Sequence, residues 1–251
     1  VTPPLQTSVF ARDAGLAFVF FVAFSLMAVL GIRFALYAYL NRSRTGIEAQ
    51  GALWTYLLAV GLTAALYGVL GVVEAATAVT SPAAAVTTPY RDGVLLAFLL
   101  TLALTMREIG TNEALVNAGR TAEEPPAARR SVEVGFGLLV GASLFGSGLL
   151  GPVDALTAVE GVAAVAVAGY GLIHGRRHLA RSAVRGTLLD SLLRHLLPVV
   201  AFGLLVLVVD LALLVGLTVG VVRHIQVVFV IMTATTLMTA TIKLRQNVAG
   251  L

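Results

Sequence analysis

The chain has 251 residues, of which 58% are hydrophobic and 12% charged. A soluble domain carries about twice that share of charge, so the composition excludes a water-soluble globule in favour of a body embedded in lipid. The absence of cysteine excludes disulfides, thiolate catalysis and cysteine metal sites. The formal charge of +4 comes from arginines clustered between apolar runs, which excludes a nucleic-acid footprint.

Val1 to Asp13 has no basic stretch before an apolar one and no small-residue cleavage site, so it does not read as a secretory signal. A membrane span needs about 20 apolar residues. The sequence predicts such helices over Ala14 to Leu40 and Ala52 to Val73. The third apolar stretch, Gly93 to Met106, is too short alone. With Thr88 as its cap and Pro89 in its first turn it runs to about Gly110 and takes in Arg91 and Asp92. Further helices are predicted over Val134 to Gly151, Val153 to His174, Leu192 to Gly216 and Val221 to Leu244. Gly151 and Pro152 mark a tight joint, a natural stop followed by a natural start. The expected fold is all-α, a single transmembrane domain of seven helices spanning residues 1–251; six spans follow if the third helix is re-entrant.

Arginine placement sets the expected orientation. Arg42 and Arg44 follow the first helix; Arg107, Arg120, Arg129 and Arg130 follow the third. Arg176, Arg177, Arg181 and Arg185 follow the fifth, and Lys243 and Arg245 end the seventh. The other connections are poor in charge, which puts the N-terminus outside and the C-terminus in the cytoplasm of a multi-pass cell-membrane protein. Arg107 to Val132 reads as a long connection broken at Glu123-Glu124-Pro125-Pro126. Gly175 to Arg194 reads as a basic amphipathic stretch, serving as anionic-lipid anchors or as a docking face for a cytoplasmic partner.

Ionisable groups within spans are functional candidates. They are Glu74, Arg91, Asp92, Glu160, Asp210, Arg223 and His224, all placed in the outward half. Glu160 and Asp210 lie deep enough to need a partner or water. Two readings stand: pairs that fix helix packing, or a polar cavity for a ligand, an ion or a proton. Arg33 is expected to snorkel. Gln226 and threonines 233, 235, 236, 239 and 241 make the last helix polar, and such hydroxyls can bond back to their own helix. The four histidines show no haem or metal pattern: His174 and His178 have helical metal spacing but sit among arginines. Gly146-Ser147-Gly148 lacks a hydrolase elbow. No catalytic set is found, so the expectation is a non-enzymatic protein without cofactor or metal. Its expected partners are the bilayer, a membrane or cytoplasmic protein, or a second copy of the chain.

Several segments resemble the microbial rhodopsins: LVGAS (Leu139 to Ser143) and GSGLLG (Gly146 to Gly151) on the fourth helix, LLRH (Leu192 to His195) opening the sixth, and IKLRQN (Ile242 to Asn247) closing the seventh. The Arg91–Asp92 pair resembles that family's arginine and carboxylate on helix three. The resemblance implies seven helices and a retinal Schiff-base lysine in mid-helix seven. That position falls near Thr236, whereas the only lysine, Lys243, stands about 20 residues or roughly 30 Å after Arg223. The arginine and aspartate are adjacent rather than spaced, and Trp54 is the only tryptophan where the family's pocket has several. The resemblance thus implies an opsin-like sensor or membrane partner subunit without covalent retinal. The alternative is a transporter or channel with an outward polar site.

Overall fold

The computed structural model describes residues 14–45, 51–80, 88–118, 127–150, 154–181 and 188–250. These form α1 (Ala14–Thr45), α2 (Gly51–Thr80), α3 (Thr88–Ala118), α4 (Ala127–Leu150), α5 (Asp154–Arg181), α6 (Leu188–Leu214) and α7 (Val219–Gly250), and no strand occurs among the described residues. Five of the helices contain segments long and apolar enough to cross a membrane: Ala14–Arg44, Gly51–Thr77, Asp154–Arg177, Asp190–Leu214 and Val219–Gly250. This is consistent with a multi-pass membrane protein. The apolar part of α4, Ser131–Gly146, is shorter, and α3 carries Arg91, Asp92, Arg107 and Glu108 within its length.

Successive helices touch, and α1 touches α7, so the bundle closes into a ring. α3 also packs on α5 and α6, which makes it the inner helix. Its side chains Leu95, Phe98, Leu99, Leu102, Ala103 and Met106 are fully buried. The outer faces of the bundle remain apolar, with Phe18 and Ile32 on α1, Leu138 and Phe145 on α4 and Val162 on α5 all exposed. A soluble protein does not leave so many large apolar side chains bare; lipid is the solvent that suits them.

α1 and α2 pack through small residues. A Cβ added at Gly31 would lie 2.4 Å from the Ala65 backbone nitrogen, and one at Gly61 would lie 2.4 Å from that of Ala35. Close backbone approach through glycine and alanine is how helices associate where apolar burial alone gives no advantage.

The joint between α6 and α7 explains itself. Gly216 has a φ of 92° and donates its N–H to the Leu213 carbonyl, while Leu217 donates to Ala212. This pair of bonds closes a helix with a left-handed residue, which glycine adopts without strain.

The structure corrects the expected connection over Arg107 to Val132. α3 continues to Ala118 and α4 already begins at Ala127, so Arg107 lies within a helix and is buried. Its guanidinium pairs with Glu108 at 3.2 Å and with Glu133 of α4. Arginine, glutamate and alanine extend a helix well without being apolar, so the helix outlasts the apolar run. The same effect carries α7 past Leu244 to Gly250, so Arg245 and Asn247 are also helical. Glu123 to Pro126 and the Gly151–Pro152 joint lie outside the described residues.

Candidate functional site

Antiparallel neighbours bring the C-terminal parts of α2, α4 and α6 to the same end of the bundle as the N-terminal parts of α3, α5 and α7. The ionisable residues collect there. Arg91 of α3 is almost fully buried and donates from Nη1 to Glu74 Oε2 of α2 at 2.6 Å. Its Nε and Nη2 lie 3.3 and 3.2 Å from Oδ1 of the adjacent Asp92. The guanidinium carbon stands 5.7 Å from the centre of the Phe24 ring of α1. One side chain therefore ties three helices together, and the cation has a carboxylate on two sides and an aromatic face on a third.

Beyond Asp92 lies a small cavity of about 30 Å³, lined by Asp92, Thr157, Glu160, Leu207, Asp210, Leu213 and Arg223. That volume accommodates one or two waters. Glu160 of α5 is buried and accepts a 2.5 Å hydrogen bond from Ser143 Oγ of α4. Arg223 of α7 is buried and donates from Nη1 to Gln226 Oε1 at 2.6 Å, and Gln226 Nε2 donates to the Val206 carbonyl of α6 at 3.1 Å. Gln226 thus locks Arg223 to the neighbouring helix. Asp210 is 7% exposed, and among the described residues it has no ion-pair partner within 4.0 Å.

Of the residues singled out in the sequence, Asp92, Glu160, Asp210 and Arg223 share this cavity, and Arg91 stands behind it through Asp92. His224 does not join them. It is exposed, with Nδ1 2.7 Å from the Gly220 carbonyl, because adjacent helix positions point about 100° apart. Ser143 and Thr157 belong to the site and carried no signal in the sequence beyond their polarity. Gln226 belongs as well, although its polarity reads first as part of the threonine run.

Leu95, Leu96, Ala164, Leu207, Val227 and Val230 are buried in the bundle, as is the polar Thr105 of α3. The α7 threonines return their hydroxyls to their own helix: Thr233 to Phe229, Thr235 to Ile231, Thr236 to Met232 and Thr241 to Leu237. Arg33 is exposed on the bundle surface.

The opposite end holds a different set. Asn41 of α1 donates to the Leu244 carbonyl of α7 at 3.2 Å and accepts from Asn247, while Arg44 donates to the Val248 carbonyl at 2.7 Å. Arg42, Arg44, Arg176, Arg177 and Arg245 are exposed there. The side chain of Arg181 and the whole of Arg185 lie outside what the structure describes. Among the described residues no group of three or more histidine or acidic side chains converges as a metal site. Comparison with known protein families, with characterised proteins and with solved structures returns no match.

Proposed function

We propose that the chain is a seven-span membrane protein, N-terminus outside and C-terminus in the cytoplasm, acting as a non-enzymatic sensor or partner subunit without covalent retinal. Its receiving site is the polar cavity, and its transmitting face is the arginine-bearing opposite end. The observation that carries this reading is the set of ionisable side chains gathered around one small cavity. Asp92, Glu160, Asp210 and Arg223 line a cavity at one end, whereas Arg107, buried at the other end, is paired with Glu108 and Glu133. A transporter needs a route that alternates between both sides; a sensor needs a site at one side and a contact at the other.

The exposed Arg42, Arg44, Arg176 and Arg177 support the cytoplasmic assignment of that opposite end. They suit anionic lipid headgroups or an acidic protein partner. The position equivalent to the family's retinal lysine falls near Thr236, whose hydroxyl is 2.8 Å from the Met232 carbonyl. Lys243 stands two turns further on, within one residue of the fully buried Leu244 and beside exposed Arg245.

Recovery of the full chain from native membranes, paired with ion-flux measurement in liposomes, tests the proposal. The expected result is a protein partner retained through purification and no flux above empty liposomes. A chain recovered alone that conducts or exchanges ions would replace the sensor with a transporter or channel.

A further inference from the structure

A guanidinium on the lipid-facing side of a span is costly unless an anion or water reaches it. Arg91 pairs with Glu74 and Asp92, Arg107 with Glu108 and Glu133, and Arg194 with Asp190. Arg223 donates to Gln226. Arg33 of α1 has no ion pair or hydrogen bond among the described residues. It is exposed on the outer surface of an apolar span, among exposed Val29, Ile32 and Leu36. It stands about 11 residues or roughly 16 Å before Arg44, a large part of one leaflet of a hydrocarbon core about 30 Å thick.

The arginine has company on one edge of the bundle. Positions 29, 33, 37, 40 and 44 share a face of α1 by helical spacing. Arg44 donates to the Val248 carbonyl of α7, so this face turns toward α7. On α7 the exposed Ile231, Met238, Ile242 and Arg245 form one stripe by the same spacing. The bond from Asn41 to the Leu244 carbonyl sets the level, which places Arg245 about two turns beyond Arg33. Neither α1 nor α7 contains an aspartate or a glutamate. On the flanking helices, Glu74 lies at the opposite end with Arg91, and Asp190 is held by Arg194.

We propose that the α1–α7 edge binds one anionic phospholipid, its phosphate between Arg33 and Arg245 with Arg44 beside it, and an acyl chain along Val29, Ile231 and Met238. This rests on the reading of the arginine-bearing end as the cytoplasmic one, and names the lipid that occupies it and where. Depth selects a lipid over an acidic peptide or free phosphate. Arg33 rises from among apolar side chains, its stem lying along them and its head reaching toward the interface. The anion that meets it there comes with an apolar tail. Charge selects an anionic headgroup over a zwitterionic one, because α1 and α7 offer cations and no carboxylate to receive a choline or an amine. A lipid seated there bridges the two helices at which the ring closes.

The test places the full chain in nanodiscs of phosphatidylcholine with and without phosphatidylglycerol, and counts the lipids it retains by native mass spectrometry. The expected result is one phosphatidylglycerol kept in preference to phosphatidylcholine. Arg33→Gln should weaken that preference at least tenfold, Arg245→Gln several-fold, and Arg33→Lys should restore part of it. Arg177→Gln, on α5, should leave it unchanged. In phosphatidylcholine alone Arg33→Gln should melt no lower than the unaltered chain, since no described residue holds Arg33; this separates lost binding from lost folding. If Arg33→Gln does not fold, Arg245→Gln and the lipid preference of the unaltered chain decide. Equal retention of the two lipids would overturn the proposal, as would a preference that survives both Arg33→Gln and Arg245→Gln. Displacement of the lipid by inorganic phosphate or by a glutamate-rich peptide at equal concentration would also overturn it, and would make that anion the occupant. Nanodiscs carry the same lipids in both leaflets, so each of these outcomes leaves the orientation and the sensor reading to be tested separately by flux and partner recovery.

Discussion

Arg91 and Glu74 form a 2.6 Å ion pair between α3 and α2 with both side chains almost wholly buried. Breaking a buried pair by removing one partner leaves an uncompensated charge and costs about 3–5 kcal/mol. Arg91→Gln is therefore expected to lower the thermal midpoint strongly in detergent or nanodiscs. The double change Arg91→Gln with Glu74→Gln should recover much of the loss, since it leaves no orphan at Glu74. Equal midpoints for the single and double variants would show that the pair does not hold α2 to α3.

The α1–α2 seam gives a steric prediction. At Gly61 an added Cβ meets the Ala35 backbone nitrogen at 2.4 Å, and backbone cannot move aside as a flexible side chain can. Gly61→Val should cost at least the about 1–3 kcal/mol of an overpacked core, and should lower expression of folded chain. Gly137→Ala on α4 is the control, because nothing lies within 4 Å of the added atom. A stable Gly61→Val would mean that the two helices are further apart than described.

Much of this architecture is legible in the sequence, for a physical reason. Lipid requires long apolar runs, which five of the helices contain, while Thr88–Pro89 and Gly216 mark ends where the backbone chemistry is local. The outer limits of α3, α4 and α7 are not legible from apolarity, because residues such as Arg107 and Asn247 continue a helix equally well in water. Depth is legible too: Glu160 and Arg223 near the start of their helices and Asp210 near the end of its own fall at one end of the bundle. Rotation about the helix axis is not, and it decides that Arg223 is buried while its neighbour His224 is exposed. Nor does the chain announce that Ser143, within a small-residue run, supplies the hydrogen bond to Glu160.

The opposite end closes the ring through Asn41, which touches both the Leu244 carbonyl and Asn247. Asn41→Leu removes the donor and leaves the Asn247 amide without this acceptor, at a cost of about 1–3 kcal/mol. The expected outcome is a lower thermal midpoint and faster proteolysis of the α7 C-terminal turns. An unchanged proteolysis pattern would show that α7 is held at that end by packing alone.

Pigment gives a spectroscopic prediction. A charged retinal imine inside a membrane needs a desolvated pocket with a carboxylate counter-ion. Lys243 lies on α7 two residues before Arg245 and 20 residues after Arg223, which lines the cavity with Asp92, Glu160 and Asp210. All-trans retinal added to the purified chain should produce no visible band that disappears in Lys243→Ala. A lysine-dependent, red-shifted band would restore covalent retinal and place a counter-ion near Lys243.

The proposed one-ended opening of the cavity is tested most directly by side-specific thiol labelling, which the absence of cysteine in the sequence makes clean. Thr157→Cys sets one thiol in the cavity wall. A small, membrane-impermeant, positively charged methanethiosulfonate reagent is applied to sealed vesicles of each orientation. Reaction only when the reagent meets the N-terminal side is the predicted result. Reaction from the C-terminal side, or equally from both, would contradict a one-ended site and replace it with a passage through the bundle.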